Sequence, residues 1–246
     1  MMTEDRFLQL FNDLDKILRK VCAIPEGEYA DVASMLAKAK ELSAHNPVEA
    51  NWDTLYVARQ LRNLMVHERR TGLTEVAQPS QELIAVLEKV ITQYQEPLTI
   101  GQYLQKTQKM KPIIFDTNDS LVTALEIVDR EHFSKFPIFA KNTYQGLVSD
   151  KGVTNWLAKA SKETGSIREK LLEAKLADVL ACEDNGIEVV ILSTKVSLYQ
   201  VINYFEGRNR TIILVSGQHN GQLRSKQDLI GIITAQDLAE IYGMID

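Results

Sequence analysis

The chain is short of cysteine, histidine and long apolar runs, and each shortage removes a class of protein. Cys22 and Cys182 are the only cysteines in 246 residues. They lie far apart and form no CxxC pair, so neither a disulfide framework nor a cysteine-built metal site is expected. Three of the four histidines, His45, His132 and His219, are scattered without ligand spacing, so no metal is expected. No apolar stretch approaches the roughly 18 residues of a membrane span, so no membrane is expected among its partners. The opening MMTEDRFLQL is acidic and amphipathic, unlike a secretory signal. Together these absences suit a cytoplasmic protein. No P-loop, GxGxxG or GxSxG occurs. Positive charge is also lacking: the net charge of -5 argues against a protein that coats nucleic acid through its phosphates.

What is present is a globular composition, 45% hydrophobic and 25% charged, with length for one large or two ordinary domains. The rhythm changes near Glu96-Pro97. Before it, Phe7, Leu10, Phe11, Leu14, Ile17, Leu18 and Val21 recur on one helical stripe. Further helices are expected over about 29–43, 48–68 and 80–93, with a break at Asn46-Pro47. After it, short β-branched runs (113–115, 136–139, 189–192, 211–215 and 230–233) alternate with helical stretches. The expected fold is α+β in two domains: an all-α bundle over 1–96, then an α/β region over 97–246.

The second region repeats itself. IIFDTNDSLVTALEIV (113–128) aligns without gaps on VILSTKVSLYQVINYF (190–205). Ser120 and Ser197 stand where they can cap helices whose inward faces follow. Each copy then has a strand, and closes on GLVSDKGVTNWL or GIITAQDLAEI. One β-α-β-β-α unit is used twice, over about 97–160 and 174–246. The second copy carries a longer polar loop, about 216–228.

The GIITAQDL segment, 231–238, has the makings of half a nucleotide site. Thr234 sits where a strand gives way to a helix; its hydroxyl can cap that helix or bond a ligand oxygen beside free N–H groups. Asp237 lies one turn further along, where a carboxylate can accept ribose hydroxyls. Arg208 and Arg210 precede the inner strand and could neutralise phosphate. The plainer alternative is an N-cap at Thr234 and a solvated first-turn acid at Asp237. In the first copy Ser149 keeps the hydroxyl, but Gly152 stands where the acid should, and Asp150 is two positions early.

The order of strand, S-L helix, F-P-I strand and G-h-h-[ST]-x-x-D helix, with the lead-ins LTIGQYLQ and KLADVLAC, resembles a tandem pair of CBS domains (a Bateman module). The resemblance covers about 98–242. It implies that Thr234 and Asp237 bind ribose and phosphate, that Thr194 faces the same cleft, and that the base lies between strand residues such as Ile191 and Ile212. A second, weaker site would use Ser149, Lys151 and Thr117. The implied ligands are AMP, ADP, ATP, cyclic di-AMP or S-adenosylmethionine; no other cofactor is required. A homodimer is implied as well, with a downstream protein partner that the residues do not name.

In the bundle, Arg62-Asn63-Leu64-Met65-Val66-His67 is similar to the R-x4-H motif of the HEPN superfamily of helical bundles. That resemblance implies a metal-independent ribonuclease in which His67 is general acid or base and Arg62 stabilises charge on phosphorus. Against it, residues 1–95 hold eleven Lys and Arg to fourteen Asp and Glu, a poor surface for RNA. A basic run before Gly72 also suits a helix C-terminus. Three functions follow from the sequence: a nucleotide-sensing regulator signalling through the bundle, a nucleotide-controlled ribonuclease, and a dimerising scaffold without ligand.

Overall fold

The computed structural model describes residues 2–71, 77–184, 186–208 and 210–245; the side chains of residues 2 and 67–71 lie outside the described part. The chain forms two compact units: Met1–Leu98 with Ser197–Glu206, and Thr99–Val196 with Gly207–Asp246.

In the first unit, α1 (Met2–Val21) buries Phe7, Leu14 and Leu18 completely, as its stripe requires. Helix α2 (Val32–Glu41) starts at Asp31, whose carboxylate accepts from the Ala33 N–H. The helix expected over 48–68 is instead two helices. A single turn, α3 (Pro47–Ala50), ends at Asn51, whose φ of -121° and ψ of 24° are not helical, and α4 (Trp52–Thr71) follows. Asn46 explains the start of α3. Its side-chain oxygen accepts from the Val48 and Glu49 N–H groups, and its amide donates to the carbonyls of Lys40 and Ser43. A buried asparagine with all these bonds made fixes the corner without leaving polar atoms unpaired. Helix α5 (Gln81–Gln95) is capped by Ser80.

The helix of the second repeat, α11 (Leu198–Phe205), groups with this helical unit. Its Asn203 makes a reciprocal pair with the backbone of His45: the amide donates to the carbonyl at 3.2 Å, and the His45 N–H donates back at 3.1 Å.

The second unit holds two three-stranded sheets of the same design. One has β1 (Phe115–Asp116), β2 (Lys135–Ala140) and β3 (Thr143–Ser149); the other has β4 (Glu188–Ser193), β5 (Thr211–Ser216) and β6 (Leu229–Ile233). In each, the first pair is parallel and the second antiparallel. The run 113–115 yields a strand only from Phe115, so β1 is shorter than β4. The first lobe adds α7 (Leu121–Glu131), α8 (Asp150–Ala160) and α9 (Ile167–Glu173), the last not expected from the pattern. The second adds α12 (Leu238–Ile245) after a 3₁₀ turn over Ala235–Asp237.

The lead-in helices, α6 (Ile100–Thr107) and α10 (Leu176–Leu180), are exchanged between lobes. The N–H groups of Ile100 and Gly101 donate to the carbonyls of Val196 and Thr194, beyond β4. Those of Leu176 and Ala177 donate to the carbonyls of Asp119 and Thr117, beyond β1. A leucine then seats each helix against a glycine in the middle of the last strand of the opposite copy. A Cβ at Gly231 would lie 2.9 Å from Leu104 Cδ1, and one at Gly146 2.9 Å from Leu180 Cδ1. The glycine beginning GLVS and GIIT is therefore a docking space for a neighbouring side chain.

Candidate functional site

A cleft of about 560 Å³ lies in the second unit. That is the size of a small-molecule site. Each lobe contributes three segments: 109–113, 132–136 and 149–151 from the first, and 184 with 187, 210–212, and 232 with 234–237 from the second. Phe133, Phe136, Ile187, Ile212 and Ile232 provide apolar wall. Lys109, Lys111, Lys135, Lys151 and Arg210 face Asp150, Asp184 and Asp237, a surplus of two positive charges on a chain whose net charge is -5. Arg210 pairs with Asp184 at 3.1 Å, Lys135 with Asp150 at 3.6 Å, and Lys109 with Asp237. Lys111 and Lys151 have no ion pair among the described residues.

The cleft is bounded on each side by a strand running into a helix. In the second lobe the Asp237 carboxylate turns back on its own junction: Oδ2 accepts from the Thr234 N–H at 2.7 Å and the Thr234 hydroxyl at 3.2 Å. Its Oδ1 faces the Tyr103 hydroxyl at 3.2 Å and the Lys109 ammonium. Tyr103 comes from α6, so the exchanged lead-in helix helps to hold the acid. Burial, together with the carboxylates of Asp237 and Glu240, pushes the tyrosine pKa far up, so its proton stays in place.

In the first lobe Ser149 has no acid three residues on, yet its junction is occupied in the same way. Glu183, which follows α10, accepts from the Ser149 N–H at 2.6 Å and the Ser149 hydroxyl at 2.9 Å. Gly152 is what admits it: a Cβ there would lie 1.8 Å from Glu183 Oε1. Burial pushes the Glu183 pKa up, and the hydrogen bonds from Ser149 pull it part of the way back.

The structure therefore brings Thr234, Asp237, Arg210, Ile212, Ser149 and Lys151 to one cleft. Thr194, Thr117, Arg208 and Ile191 are not among its lining residues. The carbonyls of Thr194 and Thr117 are where the exchanged lead-in helices dock, and Arg208 pairs with Glu188 at 3.0 Å. The wall expected from Ile191 is supplied by Ile187 and Ile232. Thr234 is the N-cap of the plainer reading, but Asp237 is not its solvated acid: it closes a reciprocal cap with a side chain 13% exposed, so a ligand there would share an acid already in use. Lys109, Tyr103 and Glu183 were outside the sequence reading. Each acts across the lobes, so no local spacing marks it.

In the helical unit Arg62 donates to Asn63 Oδ1 at 3.4 Å, and its guanidinium lies 5.9 Å from the centre of the Phe11 ring. The side chain of His67 lies outside the described residues. No group of three His, Cys, Asp or Glu able to hold a metal occurs among the described residues, and none of the described helices is long and apolar enough to cross a membrane.

No protein-family model and no curated protein matches the chain. Among solved structures it is similar to a CBS domain-containing protein of unknown function from Kribbella flavida, at 13% identity over 56% of this chain and 95% of that one, with a TM-score of 0.41. It is similar to a putative acetoin utilization protein from Vibrio cholerae at 16% identity over 61% and 93%, with a TM-score of 0.42. CBSX2 in complex with AMP matches at 18% identity over 60% and 98%, with a TM-score of 0.40. TM-scores below 0.5 leave the functional reading to the cleft itself.

Proposed function

We propose that the chain is a regulatory protein of the CBS-pair kind, which binds an adenine nucleotide in the cleft of its second unit and signals through its helical unit. The observation that carries this is the cleft's combination of an apolar wall, a hydroxyl-and-acid junction at Thr234 and Asp237, and two surplus positive charges. An adenine would lie on the wall around Ile212, a ribose would reach Asp237, and phosphate would meet Lys151 and Lys111. Charge complementarity favours AMP, ADP, ATP or cyclic di-AMP over the sulfonium cation of S-adenosylmethionine. The homodimer and the downstream protein partner belong to the same reading, through the resemblance in sequence.

Signalling would use α11, since one chain segment both links β4 to β5 and clamps His45 through Asn203. Calorimetry with AMP, ATP and cyclic di-AMP tests the proposal. Binding of at least one, lost in Asp237→Ala, is expected; no binding of any of the three at millimolar concentration would sink it.

A further inference from the structure

The Asp237 carboxylate offers about four acceptor positions, and in this structure they are filled from within. Oδ2 is held by the main-chain N–H and hydroxyl of Thr234. Oδ1 is shared by the Tyr103 hydroxyl and the Lys109 ammonium. A ligand hydroxyl can therefore reach this acid only by replacing one of these donors.

Three of the four are poor candidates to leave. The Thr234 N–H is fixed by β6, and its hydroxyl belongs to the same turn. Tyr103 is fully buried in α6 and divides its single proton between Asp237 and Glu240 Oε2 at 3.1 Å. Lys109 differs from them. It sits on a flexible stem, two residues beyond the end of α6, after Gln108 in the left-handed conformation. Its side chain is 30% exposed, whereas that of Asp237 is 13% exposed. It also lines the cleft, beside Lys111.

Once displaced, a lysine at the edge of a cleft needs another anion, and a ligand phosphate would supply it. A ligand with only hydroxyls would break the ion pair and return nothing. We propose that Lys109 is an exchangeable counter-ion of Asp237 that makes a phosphate on the ligand a condition of occupancy. This assigns Lys109 as a specificity-determining residue, and it rests on the nucleotide reading above. The exchange is one of partners: Asp237 passes from ammonium to ribose hydroxyl, and the ammonium passes from carboxylate to phosphate.

The test is calorimetry with AMP and with adenosine on wild type, Lys109→Met, Lys109→Arg and Lys151→Met. Wild type should prefer AMP. Lys109→Met should weaken AMP and tighten adenosine by about tenfold, because the competitor for Asp237 is gone; tenfold corresponds to one charge-assisted bond of about 1.4 kcal/mol. Lys109→Arg should keep the wild-type preference. Lys151→Met should weaken AMP without any gain for adenosine. AMP binding to wild type with no gain of adenosine affinity in Lys109→Met overturns the exchange and leaves the nucleotide site standing. Failure of wild type to bind AMP, ATP and cyclic di-AMP alike overturns both; where ATP binds and AMP does not, ATP takes the place of AMP in the comparison with adenosine. Thermal unfolding identifies a variant that has lost its fold, and Lys109→Gln then takes the place of Lys109→Met.

Discussion

The two strand-to-helix junctions facing the cleft solve one problem with acids from different places. Each has a hydroxyl residue whose N–H points out of the strand end, and each gives that N–H a carboxylate. In the second lobe the acid is Asp237, three residues on. In the first it is Glu183, thirty-four residues away and carried in by α10. What the fold holds constant is the position of a negative charge at the start of a helix, where orphan N–H groups and the helix dipole favour it. The difference is one of access. Asp237 keeps an exchangeable partner in Lys109, which opens on the cleft. Glu183 spends both oxygens on Ser149 and is wedged over Gly152. One junction has a partner that opens on the cleft and the other is closed, so two sheets of the same strand order carry unlike junctions.

The largest effect should come from breaking the open junction. Asp237→Ala leaves Lys109 and the Thr234 N–H without their acceptor, while Tyr103 keeps Glu240. Loss of nucleotide binding is expected, with a stability cost of about 1–3 kcal/mol, that of leaving the donors of a part-buried carboxylate unpaired, measurable by urea unfolding. Next is an attempt to make the junctions alike. Gly152→Asp places an acid where the repeat pattern would have one, but against Glu183 it should destabilise by about 1–3 kcal/mol without creating a second site. Adding Glu183→Ala should recover much of that loss. A double-mutant cycle with clearly non-zero coupling is the expected outcome, and simple additivity would count against Gly152 as the space for Glu183.

A smaller difference appears in pH dependence. The folded-state pKa of Glu183 is raised above its ordinary value, so its contribution to stability is fully present below the unfolded-state pKa and is lost as pH rises through the folded one. Glu183→Gln should flatten that part of the stability profile, just above the usual glutamate range, in unfolding measured from pH 4 to 7. The smallest effect is expected of Thr194→Val. Its backbone carbonyl holds α6 and its side chain does not line the cleft, so nucleotide affinity should stay within about twofold, a change smaller than the contribution of one neutral hydrogen bond.

The sequence made the repeat legible because strands, caps and helix faces recur at fixed local spacing. Ser120 and Ser197 cap the helices expected of them, and the predicted runs fall inside β2, β4, β5 and β6. The Thr234 and Asp237 junction was visible for the same reason, its members being three residues apart. Glu183 and Lys109 were not, because hydrophobic periodicity does not say on which lobe a lead-in helix will dock. Thr194 was expected to face the cleft and Thr117 a weaker second site; neither lines the cleft, and the carbonyls of both hold the lead-in helices. The break at Asn51 was missed because the flanking apolar spacing runs straight through it.

The exchange of α6 and α10 has a consequence for how the second unit could have grown and how it can be cut. Each copy carries at its front the piece that completes the other, so the duplicated segments behave as reciprocal halves of one joint. A nick in the exposed turn near Gly165, between α8 and α9, would leave each fragment holding a part the other lacks. Two fragments made separately would have reason to reassemble, and neither would be a finished domain alone.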